Sequence, residues 1–210
     1  MVLLTLGGRT NIVGNENLKS EPNGLFAGNH LSYMDVMFIA STVPSCFVTS
    51  VEIKETPGLG HICQMAGCLF VERRSRTSLA KEIGELQEGL ERGLNVAIFP
   101  EATSTNGEQI LRFRRPLFLS AGQAQKKVIP MCLNYRKLGS EPVTLKNRDS
   151  IFWYGDMPFV PHLWELCAKG NIEVDLHFLL PIQPGAEEDP GEVAARAQAA
   201  VESVFRPVKS

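Results

Sequence analysis

An α/β domain, a twisted mixed sheet flanked by helices, is the fold class predicted by three observations. Short apolar runs typical of strands recur along the chain. Segments with helical spacing separate them. Polar stretches follow three of the runs, after Gly28, Val71 and Phe99, where open α/β sheets place their ligand crevices. The 210 residues, 44% hydrophobic and 21% charged, suffice for a single domain over 1–210 with a sizeable core.

The elements follow in order. Thr10 to Val13 reads as a short strand and Gly14 to Asn23 as turn-rich. Leu25 to Gly28 is a buried strand ending at glycine, and Ser32 to Ala40 has apolar residues at helical spacing. Cys46 to Val51 and Cys68 to Val71 read as strands, with a short helix opening at Pro57 between them. Thr77 to Arg92 is the clearest helix: Leu79, Ile83, Leu86 and Leu90 form one stripe, and Gly93 stops it. Asn95 to Phe99 and Val128 to Leu133 are further buried strands. Ile172, Val174, Leu176, Phe178, Leu180 and Ile182 alternate with mostly polar residues, as in a half-buried strand. Glu192 to Phe205 closes the chain as an alanine-rich helix.

Charge and cysteine content narrow the function classes. A formal net charge of −2 gives no bulk attraction for nucleic acid, and no nucleic-acid partner is expected. Basic residues cluster locally, at Arg73, Arg74 and Arg76 and again at Arg112, Arg114 and Arg115. The five cysteines are odd in number and scattered through apolar runs, so they are read as buried small hydrophobes in a reducing compartment. His61, Cys63 and Cys68 match no zinc spacing, and no metal is expected. No apolar run reaches the ~18 residues of a membrane span. Met1 to Leu6 is too short for a signal-peptide core, and fits the stub of a hydrophobic segment preceding this chain.

Four stretches carry chemistry. The first is Asn29-His30-Leu31-Ser32-Tyr33-Met34-Asp35. With a helix capped by Ser32, Asp35 lies in the first turn and reaches back to His30. A carboxylate there fixes the imidazole tautomer, leaves the other nitrogen as a general base and stabilises the imidazolium. No protein nucleophile is needed if a substrate hydroxyl attacks. Taken alone, a His-x4-Asp pair is more often a satisfied loop with an acid favouring a helix N-terminus.

The second stretch is Phe99 to Gly107, an acid after a buried strand and then small polar residues. Glu101 is placed to accept from an acceptor hydroxyl, and Thr103 and Ser104 to meet a polar head group; an ordinary strand-end turn explains the same residues equally well. The third, Gly67 to Arg76, ends in arginines whose forks suit phosphate. By itself it reads as a solvated charge cluster. The fourth, Val128 to Leu133, is an apolar strand interrupted by Pro130, either a plain strand or the wall of an acyl tunnel.

In this order the four stretches resemble the blocks of the glycerolipid acyltransferase family, which includes the 1-acylglycerol-3-phosphate acyltransferases. Asn29-His30 with Asp35 matches its His-x4-Asp motif, Gly67 to Arg73 its second block, Phe99-Pro100-Glu101 with Thr103 its Phe-Pro-Glu-Gly-Thr-Arg-Ser block, and Ile129-Pro130 its fourth. The resemblance covers roughly residues 10 to 185.

The resemblance implies a glycerol-3-phosphate acyltransferase-like fold, His30 as general base and Asp35 as its partner. It implies that Arg73 and Glu101 help hold a lyso-lipid acceptor. The donor would be a thioester, acyl-CoA or acyl carrier protein, with no other cofactor and no metal. Preorganised donors would hold the oxyanion. The expected place is the cytoplasmic face of a membrane, the bacterial inner membrane, held peripherally by apolar and basic surface.

Two departures bear on the acceptor. Ala102 stands where the family usually has glycine, and Ser104 where it usually has arginine. Arg76, Arg114 and Arg115 are candidates to supply the missing phosphate contact. Otherwise the acceptor is another lyso-lipid, such as a lyso-ornithine lipid. A lipid-ester hydrolase would need a nucleophile elbow, and no Gly-x-Ser-x-Gly occurs. A noncatalytic lipid-binding module would not require His30, Asp35 and Glu101 together.

Overall fold

The computed structural model describes residues 7–19, 23–55, 59–65, 68–71, 76–185 and 187–209. In chain order the elements begin β1 (Arg9–Val13), α1 (Glu16–Lys19), β2 (Leu25–Gly28), α2 (Met34–Thr42), β3 (Cys46–Ser50), α3 (Val51–Glu55), α4 (Leu59–Met65), β4 (Leu69–Val71), α5 (Arg76–Glu91) and β5 (Val96–Ile98). A 3-10 turn (Arg115–Phe118) leads into α6 (Leu119–Gln123), β6 (Val128–Leu138) and β7 (Glu141–Pro142). Another 3-10 turn (Arg148–Ser150) precedes α7 (Phe159–Lys169), β8 (Ile172–Phe178) and α8 (Pro190–Val204).

The strands form one mixed sheet in the order β1-β8-β6-β2-β5-β3-β4, with β7 also paired to β6. From β6 through β2, β5 and β3 to β4 every pairing is parallel. Strand β8 runs antiparallel to β6, and β1 runs parallel to β8. The C-terminal ends of β2 and β5 therefore lie side by side, which brings the polar stretches after Gly28 and Ile98 together.

Helices cover both faces because side chains alternate along each strand. In β2, Phe26 points into a core with Phe38 of α2 and Phe159 and Leu166 of α7. Its neighbours Leu25 and Ala27 point into the opposite core, with Leu86 and Leu90 of α5 and Val193 and Ala197 of α8. All four β2 residues are buried, the pattern of a central parallel strand.

Several expectations change in the structure. The helix after His30 starts at Met34 rather than Ser32, with Tyr33 at the N-cap and no side-chain cap. Strand β8 stops at Phe178; Ile172, Val174, Leu176 and Phe178 enter one core as the alternation predicts, the opposite face carries Glu173, Asp175 and His177, and Leu180 is 77% exposed. Helix α7 was not legible in the sequence. Its buried face is Phe159, His162 and Leu166, while Val160 and Trp164 project outward.

Pro130 sits in central β6, aligned with Ala27 of β2. Its missing donor is tolerated because the β8 ladder begins only at Met131, and the Pro130 carbonyl still accepts from Leu179 N at 2.9 Å. Cys63, Cys68 and Cys132 are buried free thiols as expected, whereas Cys167 is exposed. Met1 to Leu6 and Pro57 lie outside the described residues. No helix among the described residues is long and apolar enough to cross a membrane.

Candidate active site

The site is built where β2 ends. Asn29 continues that strand with its side chain: its amide donates to Leu133 O at 3.0 Å and accepts from Leu133 N at 2.9 Å. A side chain thus replaces one rung of the β2–β6 ladder, and the chain can turn away immediately to present His30.

His30 Nδ1 lies 2.8 Å from Asp35 Oδ2. A carboxylate only accepts, so Nδ1 carries the proton and Nε2 keeps the lone pair. The same Oδ2 accepts from Leu31 N at 2.7 Å and Ser32 N at 3.0 Å, which folds the loop around it. The other oxygen, Oδ1, accepts from the Tyr135 hydroxyl at 2.6 Å. Asp35 is fully buried while the His30 side chain is 22% exposed. Four donors on one buried carboxylate offset the loss of water and hold it rigid. Burial, followed by the Asp35 charge, pushes the Tyr135 phenol well above its ordinary range, so it stays a donor.

The imidazole is held from its face as well. It stacks on Phe99 with centroids 4.0 Å apart and planes 12° from parallel. Phe99 ends the β5 strand run, so neighbouring strands supply the ring and its platform.

Glu101 clasps the two loops. Its Oε1 accepts from His30 N at 2.8 Å and its Oε2 from Leu111 N at 2.7 Å. The residue is 3% exposed. Burial raises its pKa to about 7, against the lowering effect of those two backbone donors and with a further push from the Asp35 charge. Sequence reasoning assigned this carboxylate to an acceptor hydroxyl; in the structure each oxygen already serves a backbone donor. Thr105 N adds a 2.9 Å bond to His30 O.

Ser104 is also used internally. Its hydroxyl donates to Trp153 O at 2.5 Å, and Trp153 N donates to Leu31 O at 2.9 Å, so the segment after β7 is tied to both site loops. The Ser104 proton is thus spent on a backbone carbonyl within the loop, and its oxygen keeps only acceptor capacity. Thr103 is exposed. Ala102 adopts φ +60°, a left-handed conformation that glycine takes without strain.

Arg73 and Arg74 lie outside the described residues, as does the Arg76 side chain. Arg112, Arg114 and Arg115 are exposed and line a cleft of about 860 Å³ that runs from Glu101 to the start of α8.

Tyr135 took no part in the sequence reading of the site, and Asn29 and Phe99 stood in its motifs without a role, since such residues in buried runs look like core. Beside Asp35's helix, His162 of α7 was also missed. Its Nε2 is 3.0 Å from Phe152 O, so Nε2 must donate and Nδ1 must accept from the Tyr33 hydroxyl at 3.0 Å. Burial lowers the His162 pKa and keeps this ring neutral.

With this geometry, likeness to known proteins becomes informative. Residues 9–134 match the family described as Acyltransferase. The chain belongs to that acyltransferase family. Within it, a 1-acyl-sn-glycerol-3-phosphate acyltransferase of Neisseria gonorrhoeae is 34% identical over 169 residues, 80% of this chain and 64% of the relative. A lyso-ornithine lipid O-acyltransferase of Pseudomonas aeruginosa is 34% identical over 178 residues, 84% of this chain and 66% of the relative. The chain thus spans just under two thirds of the length of these relatives. Among solved structures, the 1-acyl-sn-glycerophosphate (LPA) acyltransferase PlsC of Thermotoga maritima superposes with a TM-score of 0.63 at 19% identity, covering 96% of this chain and 74% of that one. That likeness establishes the shared acyltransferase fold.

Proposed function

We propose that this chain transfers a fatty acyl group from a thioester donor, acyl-CoA or acyl carrier protein, to a hydroxyl of a lyso-lipid acceptor. His30 acts as general base. The observation that carries the reading is the 2.8 Å pair of His30 Nδ1 and the buried Asp35 carboxylate, which leaves Nε2 free to accept a proton.

The reaction follows from that arrangement. Nε2 takes the acceptor hydroxyl proton as its oxygen attacks the thioester carbonyl. Asp35 stabilises the imidazolium that forms. The tetrahedral intermediate collapses, the C–S bond breaks and the imidazolium returns its proton to the leaving thiolate, so the histidine ends neutral. The Phe99 stack and the Asp35 bond hold the ring in one orientation throughout, the positioning such a step depends on.

Both acceptor classes named for the relatives, 1-acyl-sn-glycerol 3-phosphate and lyso-ornithine lipid, are compatible with acyl transfer to a hydroxyl. A lipid acceptor places the reaction at a membrane surface, and this chain would act there peripherally, at the inner membrane of a bacterium.

The deciding experiment uses purified protein, a thioester donor and a panel of lyso-lipids, with ester product measured by mass spectrometry. His30→Ala should fold normally by circular dichroism and lose about 10²- to 10⁴-fold in rate. Near-normal transfer by a folded His30→Ala protein would overturn the reading.

A further inference from the structure

The cleft beside the site has an unusual charge arrangement. One wall is the loop from Glu101 to the turn at Arg115–Phe118, the other the first turns of α8. Phe113 N donates to Gln198 Oε1 at 2.9 Å and pins the two walls at one place. Arg112, Arg114 and Arg115 line the cleft, and their guanidinium groups have no ion-pair or hydrogen-bond partner among the described residues. Asp189 and Glu192 line the same cleft, are exposed, and make no ion pair among the described residues either. Asp189 uses one oxygen to cap α8 through Gly191 N at 2.7 Å. The cleft reaches the residue that ties down the His30 loop: Glu101 is in its wall and accepts from His30 N at 2.8 Å.

Cations and anions that share a cleft without pairing are complementary to a ligand that carries both signs. A phosphate monoester, with up to two negative charges, would gain from the arginines but meet Asp189 and Glu192 at close quarters. A head group with one ammonium and one carboxylate or phosphodiester would place each charge against its opposite. We infer that this cleft is the head-group subsite of the acceptor and that it takes zwitterionic lyso-lipids in preference to phosphate monoesters. The inference rests on the acyl-transfer reading for the hydroxyl that reacts, but the charge preference stands on the cleft alone. Ser104 agrees with it: the position supplies a loop-holding hydroxyl rather than a further cation.

Binding and turnover test it separately. Calorimetric or NMR titration of the purified chain uses two soluble probes, Nα-acetylornithine for the zwitterion and glycerol 3-phosphate for the monoester. Nα-acetylornithine should bind at least about fivefold more tightly, the scale of one well-placed, partly exposed charge pair. Glu192→Lys should reverse that order, and Arg114→Glu should weaken both probes. Tighter glycerol 3-phosphate binding to the unmodified chain, no binding of either probe, or an unchanged ratio in Glu192→Lys would each overturn the inference. With lyso-lipid acceptors, Glu192→Lys should shift the kcat/KM ratio towards lysophosphatidic acid by a similar factor. Absence of transfer to every acceptor would refute the acyl-transfer reading, while the titrations would still decide the cleft.

Discussion

The Tyr135 hydroxyl donates a 2.6 Å hydrogen bond to Asp35 Oδ1, the carboxylate oxygen that His30 does not touch. His30 therefore belongs to a chain of three side chains, two from the loop and helix after β2 and one from β6. A donor on Oδ1 draws charge from the carboxylate and so moderates how strongly Asp35 can hold an imidazolium.

Tyr135→Phe removes that donor with little change of shape. The Asp35 carboxylate then loses one of the four donors that fix it against His30, so kcat should fall by about tenfold with KM little changed. Stability should fall by about 1.5–3 kcal/mol, the contribution of a hydrogen bond to a charged group. A purely structural tyrosine would lower stability and leave kcat of the folded protein in place.

Glu101 makes stability depend on pH. Its carboxyl is raised from 4.5 in the unfolded chain to about 7 by burial. The folded state therefore binds more protons between these values, so this group's contribution is largest below about pH 4.5 and is lost as the pH rises through about 7. Urea denaturation at pH 5.5 and 8 should show that loss on the alkaline side. Glu101→Gln should flatten the dependence. It should also lower stability at pH 5.5 by about 1–3 kcal/mol, because an amide has one acceptor for two backbone donors. An equally steep dependence in Glu101→Gln would assign it to another group.

Ala102 at φ +60° holds the turn after Glu101 in a conformation costly for an L-residue. Ala102→Gly should relieve this and raise stability by about 1 kcal/mol, seen as a higher urea midpoint with an unchanged slope. A lower midpoint would show that the methyl group is needed for packing.

Helix α7 exposes Val160 at 62% and Trp164 at 80%, one helical turn apart. Its opposite side, through His162, contacts Tyr33 at the start of α2. If the acceptor is a lipid, as proposed, this exposed apolar pair is expected to enter a bilayer interface. Flotation with anionic liposomes should show Trp164→Ser partitioning about tenfold less than the unmodified chain, given the area a tryptophan buries. Equal flotation of the two proteins would place the membrane contact elsewhere.

Much of the fold was legible in the residues because local patterns dictate it. The run Leu25–Gly28 is a strand with the expected bounds, and the stripe through Leu86 and Leu90 became the buried side of α5. His30 and Asp35 were legible as a pair because four intervening residues at a helix start leave one short reach. Glu101 was found by its place after a buried strand, but its partners were not, since Leu111 N is delivered by a loop whose course no local pattern encodes. Tyr135 lies 100 positions from Asp35 and reaches it only because β6 pairs with β2 in one register, locked by Asn29 against Leu133. The cleft is likewise tertiary: Arg114 and Glu192 line it together because α8 packs against the turn at Arg115–Phe118. The sequence by itself determined most of the elements, the family motifs and the pairing of His30 with Asp35. Which groups satisfy the base, and which charges share its cleft, depended on strand register and helix packing, because hydrogen bonds and ion pairs act over a few ångströms that only the folded chain brings about.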